Sequence, residues 1–170
     1  MQVITSHINA DFDTLASMLA AKKLYPDAVL TFPGSLEENL RDFFERPQFH
    51  FLEIEKIKNI KMDEIERLIL VDIRQATRIG KFAEIINRPG LDIHIYDHHP
   101  KSPDDIHGSL EVTHAYGATT TILVHIIKEK GIELTPEEAT VLMLGIYEDT
   151  GSLAFSSTTV KDYEAAAFLL

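Results

Sequence analysis

Short apolar runs alternate with amphipathic stretches along this chain, and that alternation restricts the fold more than any other feature of the sequence. Gln2–Ser6, Ala28–Phe32, Phe49–Ile54, Arg67–Asp72 and Leu91–Asp97 read as strands. Between them, Thr14–Tyr25 carries Leu15, Met18, Leu19 and Leu24 on one helical face, and Ile79–Asn87 reads as a short helix. Ser35, with Glu38 three residues on, has the capping-box pattern for a helix carrying Leu36, Leu40, Phe43 and Phe44 and ending near Pro47. Strand and helix in turn predict the α/β class: a doubly wound, mostly parallel sheet with helices on both faces.

The second half continues the pattern. Leu110–Thr113 is a strand candidate, and Gly117–Thr121 opens a helix that Gly131 closes. Thr135-Pro136-Glu137-Glu138 is a helix start, with a threonine cap, proline at the first position and glutamate three residues after the cap. The apolar Val141–Ile146 run reads as one more strand-like piece ending in chemistry, since it leads into Asp149. The last stretch, from Thr159 to Leu170, starts like a helix and finishes on Phe-Leu-Leu with no cap, so a continuation of the polypeptide is expected.

The strand ends carry the polar chemistry. Alternation of Leu91, Ile93 and Ile95 leads to Asp97-His98-His99-Pro100, and Pro100 stops the ladder because it has no N–H to donate. Gln2–Ser6 runs into His7, Asp11 and Asp13, and Leu68–Val71 runs into Asp72. In an open parallel sheet these carboxyl ends border one crevice. Five carboxylates gathered there repel one another unless cations neutralise them, so the cluster implies bound divalent metal.

Composition narrows the ligand chemistry. The 170 residues contain no cysteine, which leaves oxygen and nitrogen as the only metal donors and excludes a disulfide framework. A formal net charge of −11 argues against a broad surface holding nucleic acid by phosphate neutralisation, while a small phosphate compound met by metal ions stays open. No apolar run reaches the roughly 18 residues of a membrane span, and no basic segment precedes a long apolar one at the N-terminus; a cytoplasmic protein is the expectation.

Four motifs in order, His7-Ile-Asn-Ala-Asp11-Phe-Asp13, Asp72, Asp97-His98-His99-Pro100 and Asp149-Thr-Gly151, resemble the signature motifs of the DHH phosphoesterase superfamily. That superfamily includes RecJ-like exonucleases, small-oligoribonucleotide nucleases, cyclic-dinucleotide phosphodiesterases and manganese-dependent family II pyrophosphatases. The Phe32-Pro-Gly-Ser35 turn, Asn39-Leu-Arg-Asp-Phe-Phe44, Asp72-Ile-Arg-Gln75 and Arg78-Ile-Gly80 look most like the N-terminal DHH domain of large bacterial proteins. In those, CBS domains and a tRNA-nucleotidyltransferase or poly(A)-polymerase-type domain follow. One departure is Ala10, a position that is often proline in relatives.

The resemblance implies that His7, Asp11 and Asp72 hold one metal and that Asp13, Asp72, His98 and Asp149 hold a second, with Asp72 bridging. A bridging carboxylate suits two cations about 3.5–4 Å apart, the arrangement that activates water and clamps both oxygens of an in-line displacement at phosphorus. Imidazole donors favour Mn2+ over Mg2+. Asp97 would steady the histidines, and His99 would face the scissile phosphate as donor or acid. Arg74 and Arg78 are candidates for binding substrate phosphate.

The expected activity is hydrolysis of a nucleotide or short oligonucleotide phosphodiester, with the glycine-rich second domain of such enzymes, and any CBS or polymerase domain, missing from residues 1–170. Two alternatives stand beside it: manganese-dependent hydrolysis of pyrophosphate or polyphosphate, and a metal- or nucleotide-binding regulatory module with little turnover. RNA would be met through the missing domains.

Overall fold

The computed structural model describes residues 1–44 and 53–170. Five parallel strands, β1 (Gln2–Thr5), β2 (Val29–Leu30), β3 (Arg67–Val71), β4 (Asp92–Asp97) and β5 (Leu110–Thr113), form one sheet in the order β2-β1-β3-β4-β5. The chain leaves β1 toward β2 on one side and returns to place β3 on the other. The order therefore reverses between β1 and β3, and the crevice outside their carboxyl ends is the ligand position of a doubly wound sheet. Of the Phe49–Ile54 strand expected from the sequence, Phe49 to Leu52 lie outside the described residues, and Ile54 makes a parallel bridge to Leu30 at the sheet edge.

Alternation in the strands divides the core in two. Ile4, Ile69, Val71 and Tyr96 face α1 (Phe12–Leu24), α3 (Thr119–Glu129) and α4 (Pro136–Thr150), with Leu40 and Phe43 of α2 (Glu38–Phe44) and Ala165 of α5 (Val160–Leu169) in the same cluster. Val3, Leu68, Leu70, Ile93 and Ile95 face the opposite way, onto Ile79, Phe82 and Ile85. Each fully buried Ile or Leu of these strands contributes about 1.5–3 kcal/mol by leaving water.

The two faces are covered differently. The helix expected over Ile79–Asn87 is instead a pair of 3-10 turns, Ala76–Arg78 and Gly80–Glu84. Gly80 breaks the run: its φ of +57° suits no ordinary helix residue, and a Cβ there would lie 2.9 Å from the Pro33 carbonyl. The Val141–Ile146 run is not strand-like but the middle of α4, begun by the Thr135/Glu138 capping box and closed at Gly151 with φ 54°. A short apolar run has no periodicity that separates a buried helix segment from a buried strand. Asp149 therefore enters from a helix's last turn.

Gly145 sets how close α4 comes to α1. A Cβ on it would lie 2.5 Å from Ala16 Cβ and 2.8 Å from Thr120 Oγ1, so only glycine permits this approach. The approach brings Asp149 to the N-terminal end of α1.

Candidate metal centre

Asp72 follows the last residue of β3 with φ 59°, a left-handed conformation uncommon outside glycine and a sign of strain concentrated at a site. Its amide still donates to Tyr96 O at 2.9 Å, so the turn is anchored to β4. The carboxylate is buried and divides its oxygens between two groups. Oδ2 lies 3.4 Å from His7 Nε2, and Oδ1 lies 3.5 Å from His98 Nε2.

The rest of the cluster comes from three other segments. Asp11 caps α1, its Oδ1 accepting from Thr14 N at 2.9 Å, while Oδ2 stands 3.9 Å from His7 Nε2. Asp13, in the first turn of α1 and fully buried, accepts the Thr119 and Thr120 amides at 2.8 and 2.9 Å. A carboxylate is thus seated on the N-terminus of α3, where the helix dipole and free N–H groups favour negative charge. Asp149 Oδ2 lies 3.2 Å from His98 Nε2. Donor atoms of His7, Asp11 and Asp72 lie within 4.8 Å of one another, and so do those of Asp13, Asp72, His98 and Asp149.

The histidine tautomers suit ligation. His7 Nδ1 is 3.0 Å from Ile8 O and His98 Nδ1 is 3.0 Å from Tyr116 O. A carbonyl only accepts, so each Nδ1 carries the proton and each Nε2 faces the carboxylates. His98 Nε2 is buried and has no hydrogen bond of good geometry despite two carboxylates at hand. A buried orphaned nitrogen aimed between carboxylates is what a ligand atom looks like beside its cation position. The donor set therefore fits a pair of divalent ions.

Without cations the charges are in conflict. Burial, then the Asp72 and Asp149 carboxylates, push Asp13 well above the usual carboxylate range. Asp11 is raised by burial and by Asp72. Burial would raise Asp72 too, but His7, His99 and His98 bring it below its ordinary value. Burial lowers the His98 imidazole, and Asp149, Asp13 and Asp72 outweigh that to push it up to about 10.

Several contacting residues carry no sequence signal of their own. Thr14 Oγ1 stands 2.8 Å from His7 Nε2 and 3.3 Å from Asp72 Oδ2, and Thr119 Oγ1 donates to Asp72 Oδ1 at 2.9 Å. Glu148 adds a further carboxylate, its Oε2 accepting from Phe12 N at 2.6 Å, with Asp11 and Asp149 close by. Burial, with Asp11, Glu37 and Asp149 in support, raises Glu148 to about 7.

Around this cluster, Asp97 Oδ1 lies 2.7 Å from His99 Nδ1. The His99 ring is about half exposed, and Asp97, first among the causes, raises its pKa. His99 borders two clefts. One of about 150 Å3 also has Arg74, Arg78 and Gln75 in its wall, and one of about 310 Å3 has Lys101, Thr113 and His114. Arg78 is exposed. Arg74 is buried, its Nε donating to Asp97 Oδ2 at 2.6 Å. Among the described residues no helix is long and apolar enough to cross a membrane.

The chain is 51% identical over 170 residues to an A-adding tRNA nucleotidyltransferase of Geobacter sulfurreducens, covering all of this chain and 19% of that protein. It is 38% identical to the A-adding tRNA nucleotidyltransferase of Aquifex aeolicus, covering 99% of this chain and again 19% of the relative. The chain thus spans about a fifth of the length of these two proteins. Among solved structures, a Methanococcus jannaschii protein assigned as a family II inorganic pyrophosphatase superposes with a TM-score of 0.79 at 25% identity, over 99% of this chain and 54% of that one. Residues 2–146 match the DHH family, N-terminal domain, and the chain belongs to that family.

Proposed function

We propose that this domain is a two-metal phosphoesterase, hydrolysing a nucleotide or short oligonucleotide phosphodiester as the N-terminal part of a protein related to tRNA nucleotidyltransferases and poly(A) polymerases. The observation that carries it is the Asp72 carboxylate, one oxygen toward His7 and the other toward His98, with Asp11 on the first side and Asp13 and Asp149 on the second. His7, Asp11 and Asp72 would hold one cation, and Asp13, Asp72, His98 and Asp149 the other, with Mn2+ favoured by the imidazoles. Bound there, the pair supplies Lewis acidity toward phosphoryl oxygen and a water of lowered pKa.

The chain's own groups do the rest. Asp97 accepts from His99 Nδ1 at 2.7 Å and raises the ring's pKa, and the protonated ring presents Nε2–H toward a substrate oxygen. Arg78, exposed in the cleft beside His99, offers a planar donor fork for a phosphate. The larger cleft, about 310 Å3, has His114 in its wall, stacked on Tyr116 with centroids 5.0 Å apart. That is room and ring surface for a nucleoside rather than for pyrophosphate alone, and it supports the phosphodiester reading.

The test is hydrolysis of a 5′-phosphorylated dinucleotide against pyrophosphate by the purified protein with manganese, beside metal analysis and the Asp72→Asn variant. Turnover of the dinucleotide that Asp72→Asn abolishes supports the proposal. Faster turnover of pyrophosphate shifts it to a pyrophosphatase, and two bound ions with no Asp72-dependent turnover shifts it to a binding module.

A further inference from the structure

Among the described residues Arg74 is the one buried arginine or lysine, with a side chain only 3% exposed. Nε donates to Asp97 Oδ2 at 2.6 Å, one terminal nitrogen donates to the carbonyl oxygen of His99, and the other lies 3.4 Å from Asp105 Oδ2. The backbone follows the same pattern, since Ile106 N donates to Arg74 O at 2.7 Å. The other oxygen of Asp97 is the one on His99 Nδ1, at 2.7 Å. One guanidinium thus holds His99 at two points, directly through its carbonyl and through Asp97 by its ring.

We infer that Arg74 is a positioning residue for His99, acting through Asp97, and does not touch the substrate phosphate. Two carboxylates and a carbonyl engage all three of its nitrogens, and although the side chain borders the cleft it is only 3% exposed. Arg78, exposed in the same cleft, is the arginine that remains for an anion. The fixed fork of a guanidinium matters here. A lysine ammonium keeps the charge but has no planar pair of donors to reach Asp97 Oδ2 and the His99 carbonyl together.

This inference rests on the phosphoesterase reading for its kinetic consequence, but not for its geometric one. In the manganese-loaded protein, Arg74→Lys is expected to lower kcat for the dinucleotide about 10- to 100-fold, the usual cost of losing a supporting partner, with KM and bound manganese little changed. Methylguanidinium is expected to restore part of kcat to Arg74→Ala. A raised KM at unchanged kcat would make Arg74 a substrate contact and overturn the inference; so would loss of manganese, which would make it a structural clamp.

A second measurement needs no turnover. In metal-free protein labelled with 15N-histidine, the His99 Nδ1 proton hydrogen-bonded to Asp97 is expected to shift or vanish in Arg74→Lys, while the His98 proton held by Tyr116 O stays. An unchanged His99 signal sinks the inference even if wild-type protein hydrolyses nothing, whereas absence of hydrolysis with a shifted signal removes only the phosphoesterase reading.

Discussion

The Phe12 amide donates to Glu148 Oε2 at 2.6 Å, joining the first turn of α1 to the last turn of α4 across 136 residues of sequence. Asp11 and Asp13 flank one partner, and Asp149 follows the other. Glu148 therefore sets the spacing of carboxylates that must share cations. Glu148→Ala should destabilise the protein by about 1.5–3 kcal/mol, the range for a hydrogen bond to a charged group, and should weaken manganese binding. Glu148→Gln keeps an acceptor and should retain most of both; denaturant unfolding and metal titration check this.

Stability of the metal-free protein should fall as pH rises. Glu148 is raised from 4.5 to about 7 in the fold, so its contribution is complete below 4.5 and lost by about 7. His98, raised from 6.5 to about 10, contributes fully below 6.5 and loses that contribution as pH passes about 10. Asp72, held below its ordinary 3.8, contributes fully above that value and loses its contribution only as pH falls below it, outside this series. Thermal unfolding in chelator at pH 5.5, 7 and 9 should give a descending series.

Manganese should flatten that series, because cations neutralise the same carboxylates. At a free concentration about 100 times the Kd the gain is about 2.7 kcal/mol for each ion bound, or roughly 5–10 °C in Tm per ion for a chain of this size. Asp72→Asn should lose most of the gain. Asparagine tolerates the left-handed backbone at position 72, so this variant removes the bridging charge without disturbing the turn. Its metal-free Tm should stay within a few degrees of wild type.

Gly145→Ala should destabilise despite alanine's helix preference, worth about 1 kcal/mol. The new Cβ would stand 2.5 Å from Ala16 Cβ, and overpacking costs about 1–3 kcal/mol. Adding Ala16→Gly should recover part of the loss, a coupling that a double-mutant cycle reads directly.

Arg78→Ala should raise KM for a phosphodiester by roughly tenfold, about 1.4 kcal/mol, with a smaller change in kcat. The opposite split from Arg74→Lys, measured on the same substrate, would show that the two arginines do different work.

By itself the sequence determined the strand ends. A continuous apolar run closing on Asp72 and a period-two run closing on Asp97-His98-His99, with turns and caps between, are local patterns, and local sterics and hydrogen bonding produce them wherever they occur. The parallel α/β sheet followed from the same alternation. What only tertiary structure decided are relations between distant segments. The Val141–Ile146 run is helix because the Thr135 cap and the packing on α1 favour it, and short apolar runs carry no period to say so. Thr119 and Thr120 seat Asp13 across more than 100 residues, Glu148 meets Phe12 across 136, and Arg74 faces inward because Asp97 and Asp105 neutralise it in a dry interior. A charge's partner is chosen by the dielectric and geometry of the folded state, and neither is written in the order of residues along the chain.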